Sequence, residues 1–304
     1  MQVMFVKLMM QWLICSTLCL CLASPLALAA EDSDEKVEKE EKVEKELNIG
    51  VFPRRNVATS IKMFTPMVNY LEQQLGHKVS LDVAPDMPAF WSRLQNGDYD
   101  LVHLNQYHYV KAHAELGWQV ILKNEEFGKD TLASAIWVHE DSDIKELKDL
   151  QGKLIVFGGG KHAMVASIMN KDLMLKEGLT EDSYIGMSSL YPVKSILSVY
   201  YNQADAVGTG ASVIKIPLIR KKIDVSKLRV LAQSKPLAHL PWAVSQNMSS
   251  PDREALIKSF LSLNDSRDGK QLLQGAGMSG IKPADDRDYD EHRVIIKRVL
   301  QEDY

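Results

Sequence analysis

The chain has 304 residues, of which 45% are hydrophobic and 25% charged, with a formal net charge of -4. That is ordinary globular composition, with length enough for about two domains. Residues 47–304 carry equal numbers of basic and acidic side chains. Neither nucleic acid nor an anionic membrane surface is therefore an implied partner.

Lys7 is the only charge in the first 30 residues, and it precedes an apolar run from Leu8 to Leu28 that ends Ala27-Leu28-Ala29-Ala30. The pattern predicts a secretory signal over residues 1–29, cleaved after Ala29, and hence export. A run of this length also suits a retained membrane anchor. Cys15, Cys19 and Cys21 all fall inside it, so the exported chain would hold no thiol, disulfide or cysteine metal site. Residues 30–46 repeat Glu-Lys-Val-Glu-Lys-Glu twice. Valines that sparse make no packed stripe, so a solvated, charged low-complexity tether is expected there.

Beyond the tether, Leu47 to Phe52 reads as a strand and Thr65 to Leu75 as an amphipathic helix with Pro66 in its first turn and Gly76 ending it. Lys78 to Val83, Met87 to Gln95 and Tyr99 to Leu104 read as strand, helix and strand. The alternation predicts a mostly parallel sheet flanked by helices. Ligands of such sheets meet the carboxyl ends of strands, which places Pro53-Arg54-Arg55 and the segment Asn105 to Tyr109 at a candidate site. Thr131 to Val138 is a strand that leaves this first lobe, and Ile144 to Gly152 a short helix. A loop at 186–192, a helix over Val193 to Tyr201, and strands at Ala204 to Val207 and Leu228 to Gln233 build a second lobe. Leu240 to Val244 leads back, and helices at Pro251 to Leu263, Lys270 to Leu273 and Tyr289 to Leu300 complete the first. The expected organisation is lobe 1 over residues 47–132 and 237–304, and lobe 2 over 133–236, joined by two hinge crossings.

The organising stretch is Leu154 to Met169, a buried strand running through Gly158-Gly159-Gly160-Lys161-His162 into a helix. Glycines permit close backbone approach, and free amides at a helix start favour an anion or polar head. A plain strand-to-helix turn is the alternative. The spacing fits neither G-x-G-x-x-G nor a P-loop, so a nucleotide is not expected.

This order of elements resembles the phosphate/phosphite/phosphonate-binding (PhnD-like) periplasmic proteins of ABC importers. The similarity is carried by Ile49 to Pro53 with Phe64-Thr65-Pro66, Leu94 to Leu101 with Tyr109-Val110, Ile144 to Gly152 with Phe157-Gly158, Gln203 to Ala206, and Gly269 to Leu273 with Gly277 and Tyr289. The resemblance implies the two-lobe type II periplasmic-binding fold. It also implies a monomer that closes over one solute and delivers it to an ABC permease in the inner membrane, without chemistry and without a cofactor. A periplasmic sensor presenting its closed form to a membrane receptor is the alternative. In such relatives the loop matching Gly158 to Ala163 carries hydroxyls for phosphoryl oxygens, the next loop a histidine, and the following strand end an acid. Here those places hold no hydroxyl, Ser189-Leu190-Tyr191-Pro192, and Gly208-Thr209-Gly210.

Two readings of the cleft follow. Lys161 and His162, with the amides of Gly159 and Gly160, bind an oxyanion in the first. In the second, Tyr107, Tyr109, Met164, Tyr191, Pro192 and Trp242 line an apolar pocket for a lipid- or sterol-like solute, with Asn105 as an anchor. Arg54 faces the cleft or solvent, and Thr209 stands at a strand end. His103, His108 and His113 lie on different faces of a strand-to-helix turn, which favours packing over metal binding. Tyr200-Tyr201 precedes a strand, where packing is the expected role. No G-x-S-x-G, H-E-x-x-H or cysteine nucleophile suggests an enzyme.

Overall fold

A computed structural model describes residues 46–189, 191 and 193–304. The expected leader, and the tether up to its last residue, lie outside the described residues. Glu46 opens the first strand.

Lobe 1 begins with three strand-to-helix units built alike. β1 (Glu46–Val51), β2 (Lys78–Val83) and β3 (Leu101–His103) lead into α1 (Val57–Leu75), α2 (Met87–Asn96) and α3 (Gln106–Leu116). Asn56, Asp86 and Asn105 cap the three helices by accepting an N–H three residues on, and Gly76, Gly97 and Gly117 end them in the left-handed region. The short polar cap and the glycine each satisfy groups that a helix end leaves bare.

Helix α1 starts two turns earlier than its sequence suggests, so Pro66 sits inside it rather than in its first turn. A proline there removes one helical hydrogen bond. Burial of the stripe Ser60, Phe64, Met67, Val68 and Leu71 outweighs that loss.

β4 (Gln119–Glu125) runs in the same direction as β1 and β3, and β5 (Thr131–Leu132) reaches the first crossing. Lobe 2 contains β6 (Ser134–His139), β7 (Leu154–Gly158), α4 (Met169–Lys176), β8 (Ile185–Ser189), α5 (Ile196–Tyr200), β9 (Ala206–Gly210), α6 (Pro217–Arg220) and β10 (Leu228–Gln233). The second crossing is β11 (Leu237–Ala238), which pairs antiparallel with β5, Leu237 opposite Leu132. The chain ends in lobe 1 with β12 (Pro241–Val244), α7 (Ser250–Ser262), α8 (Arg267–Gly275), β13 (Gly280–Pro283) and α9 (Asp290–Leu300).

The lobe 1 sheet runs β13-β4-β12-β3-β1-β2 and the lobe 2 sheet β10-β6-β9-β7-β8. In each, the strands of the strand-to-helix units are parallel and those near the crossings antiparallel. β4, β8, β11, β12 and β13 are the strands the sequence did not reveal. The expected loop at 186–192 is partly β8, parallel to β7 with Phe157 opposite Ser188. Its residues are mostly exposed, so no apolar alternation marks it. The expected helix from Ile144 to Gly152 is one 3-10 turn, Leu147–Leu150.

Side chains along β6 alternate, Ile136 and Val138 into one core of lobe 2, Ala135 and Trp137 into the other. One lobe 1 core, built on Tyr107, Tyr109, Tyr289 and Ile296, continues into Met164, Ile168 and Met169 of lobe 2. The lobes therefore share apolar packing beside the crossings.

Candidate functional site

A cavity of about 120 Å³ lies where the strands of both sheets end. From lobe 1 it receives Phe52 and Arg54 after β1, Asn105 and Gln106 after β3, Glu126 after β4, and Leu240 before β12. Lobe 2 contributes Ala163 to Ala166 after β7, Thr209 and Gly210 at the end of β9, then Ser212, Val213 and Ile216. Leu132 of the first crossing and Val193 complete the wall.

The lobe 2 wall is positioned by the helix that follows the glycine loop. Its first turn, Met164–Ile168, is a π-helix that runs into α4. A wide turn leaves carbonyls without their usual partners. Asn170, fully buried, fills the gap: its Nδ2 donates to the carbonyls of Val165 (3.1 Å), Ala166 (3.2 Å) and Thr209 (3.2 Å). One amide thereby ties two cavity-lining stretches together. Gly208 allows the approach, since a Cβ there would meet the Ala166 carbonyl at 2.9 Å.

The lobe 1 wall is polar and has a polar backing. Trp242 Nε1 donates to Asn124 Oδ1 at 2.8 Å, and Asn124 Nδ2 donates to His103 Nε2 at 3.1 Å. The proton of His103 is therefore on Nδ1, which has no partner among the described residues. Burial, reinforced by Arg54, holds the His103 pKa well below its ordinary value, so the ring is neutral. Arg55 stands in the same small chamber. Burial and then Arg54 bring its pKa down to about 10, so it stays charged at neutral pH. At the wall itself, Arg54 Nη1 and Glu126 Oε1 are 3.8 Å apart. Burial pushes the Glu126 pKa up, but His239, Arg54 and Arg55 prevail and hold it below the carboxylate norm.

The family of periplasmic substrate-binding proteins of phosphonate ABC transporters matches residues 49–289. The chain belongs to that family. Solved structures agree on the fold. A binding-protein component of an ABC phosphonate transporter from Pseudomonas aeruginosa matches with TM-score 0.72 and 15% identity, over 85% of this chain and 87% of that one. PhnD1 from Prochlorococcus marinus, in complex with methylphosphonate, matches with TM-score 0.73 and 17% identity, over 85% and 99%. A Xanthomonas citri protein bound to ATP matches with TM-score 0.71 and 16% identity, over 84% and 98%. All are type II periplasmic binding folds.

Within this phosphonate-family protein, the residues singled out from sequence fall into three groups. Arg54, Asn105 and Thr209 stand in the cavity wall, with Met164. Asn105 caps α3 and its Nδ2 donates to the His162 carbonyl at 3.5 Å, while the Thr209 hydroxyl donates to the Gly210 carbonyl at 3.1 Å.

Tyr107 and His162 form the second group, a contact between lobes beside the cavity. Their rings stack at 4.4 Å with an interplanar angle of 4°, and the Tyr107 hydroxyl donates to Glu302 at 2.7 Å. The neighbouring glycines lie at this edge too. Gly159 adopts φ of 78° and its N–H donates to the Ser189 carbonyl at 2.7 Å, so it is not free for a ligand. Gly160 and Lys161 are exposed, outside the wall because the chain reaches the cavity only at Ala163.

The third group is elsewhere. Tyr109 and Trp242, both 0% exposed, are core residues of lobe 1 rather than cavity lining. The Tyr109 hydroxyl donates to Asp286 at 2.6 Å, and Trp242 stacks on His103 at 4.5 Å. Tyr109 is turned into the core by helix α3, and Trp242 by its position on β12. Tyr191 is 48% exposed, under the Lys194 ammonium, and Pro192 lies outside the described residues.

Sequence reasoning missed Glu126, Ser212 and, on either side of Met164, Ala163, Val165 and Ala166. Glu126 follows a strand that the pattern did not reveal, and alanines carry no chemical signal. Ser212, three residues beyond Thr209, was readable as part of the same strand-end loop.

Proposed function

We propose that this protein is a periplasmic solute-binding component of an ABC importer that closes its lobes over one small, mainly apolar solute with a polar end, and passes it to the inner-membrane permease. The observation that carries the reading is the composition of the lobe 2 wall. Ala163, Met164, Val165, Ala166, Val193, Val213 and Ile216 face the cavity, where an oxyanion site needs charge or many convergent donors. Arg54, the only cation of the wall among the described residues, has the ionised Glu126 beside it. Apolar walls with a few placed polar groups suit a lipid-like solute.

A second reading has a specific observation in its favour. Arg54, Thr209, Ser212 and the first amides of the helix at Met164 surround one cavity, and PhnD1, of the same fold, is solved with methylphosphonate.

Thermal unfolding with each ligand class separates the two, because a ligand of the folded state raises the melting temperature. Fatty alcohols or sterols should stabilise the protein at micromolar concentration, with methylphosphonate inert to the millimolar range. Stabilisation by micromolar methylphosphonate, with every apolar probe inert, overturns the apolar reading. Native mass spectrometry of protein taken from its host should show a bound lipid-like mass.

A further inference from the structure

This inference rests on the reading of the cavity as a solute site, and concerns what sets its charge preference. Glu126 is presented by a tight two-residue hairpin turn: its N–H donates to the Lys129 carbonyl at 2.9 Å and the Lys129 N–H returns to the Glu126 carbonyl at 3.0 Å. The two turn residues, Phe127 and Gly128, have φ of 53° and 74°. Such a turn suits Asn-Gly or Gly-Gly, and a bulky residue there costs about 1 kcal/mol or more. The strained turn holds the carboxylate between the cavity and the polar chamber of Arg55, His103 and Asn124.

Two groups approach that carboxylate without completing a hydrogen bond: Arg54 Nη1 at 3.8 Å and His239 Nε2 at 3.8 Å. The Leu240 N–H donates to His239 Nδ1 at 2.8 Å. The ring proton of His239 is thus on Nε2, which is without a hydrogen-bond partner among the described residues. Both the acid and the guanidinium keep bonding capacity facing the cavity, at a spacing that one small polar group can bridge.

We propose that Glu126 sets the charge selectivity of the cavity: its carboxylate cancels Arg54, so the pair receives an uncharged hydroxyl or amide, donating to one and accepting from the other, and repels an oxyanion. Like charges brought together at a binding site cost affinity directly, so one carboxylate suffices to exclude a class of ligand.

Glu126→Gln keeps the shape and removes the charge. The probes are 1-decanol and decanoate, which share a tail and differ in head charge, with methylphosphonate as a third, all titrated calorimetrically at neutral pH. Wild type should prefer decanol, and E126Q should shift the decanol-to-decanoate ratio toward decanoate, and raise methylphosphonate affinity, by about tenfold or more. Unchanged affinities in an E126Q protein that unfolds at the wild-type temperature overturn the proposal. Should E126Q not fold, Arg54→Gln serves: the uncancelled carboxylate should disfavour decanoate further, and an unchanged ratio overturns the proposal. If wild type binds methylphosphonate and neither amphiphile, the apolar reading fails by itself, and the methylphosphonate gain in E126Q still decides the role of Glu126.

Discussion

The two walls of the cavity are made of different chemistry although each is built at strand ends. Lobe 1 offers Arg54, Asn105, Gln106 and Glu126, backed by a buried chain of polar groups from Trp242 through Asn124 to His103. Lobe 2 offers aliphatic side chains with Thr209 and Ser212 at one edge, and spends its buried amide, Asn170, on holding its own backbone. On the proposed function, a solute between them would be held by hydrogen bonds on one side and by packing on the other. On that same reading, polar orientation and apolar affinity come from separate lobes, and closure combines them.

Acid should separate the lobes most. His103, His108, His239 and His292 are buried in lobe 1 or at its hinge, whereas His139 and His162 of lobe 2 are half-buried. Burial brings His108 and His292 down to a pKa of about 3. The unfolded rings take up protons below pH ~6.5, the folded ones only near 3, so stability is intact above ~6.5 and falls as pH drops toward 3. Each of these two rings contributes a loss of about 1.4 kcal/mol per pH unit within that window. Thermal melts from pH 7 to 4.5 should show the loss, with hydrogen exchange rising first in lobe 1. A pH-independent melt contradicts the burial of these rings as neutral groups.

The apolar wall is tested by Met164→Asp, which buries an unpaired charge where lobe 2 meets the lobe 1 core. A loss of about 4 kcal/mol or more is expected, read by denaturant unfolding, and solute binding should vanish. Asn170→Leu should cost about 2–3 kcal/mol, since three carbonyls lose their donor. Tolerance of that change would mean the π-turn does not depend on the amide.

On the polar side, Trp242→Phe keeps the ring stack and removes the donor to Asn124, for about 1–2 kcal/mol. Asn105→Ala removes the α3 cap and one link to lobe 2, for about 1 kcal/mol. That variant should weaken solute binding more than its stability loss accounts for, measured by titration at low temperature.

Much of the fold was legible because short-range rules coincide with it. Three strand-to-helix units carry their Asn or Asp caps and closing glycines in sequence order, and β2 and β10 fall where alternation puts them. β8 was illegible for a physical reason: an exposed edge strand needs no buried face, so Ile185-Gly-Met-Ser-Ser189 shows no period. For α1, burial along the stripe from Ser60 to Leu71 carried the helix back past the start that Pro66 signals. Of the positions read after strands, Arg54, Asn105 and Thr209 stand in the cavity wall, whereas Tyr109 faces the core because α3 turns it there and Trp242 because successive strand residues face opposite ways.

The sequence by itself determined the three opening strand-to-helix units and the caps that bound their helices, since each depends on residues a few positions apart. Tertiary structure alone decided that the glycine loop touches Tyr107 while the alanines after it reach the cavity, and that Arg54 meets Glu126. Those facts depend on how far a π-turn advances the chain and on how two distant strand ends are brought together. Neither quantity is written in any local stretch; each exists only once both sheets have packed.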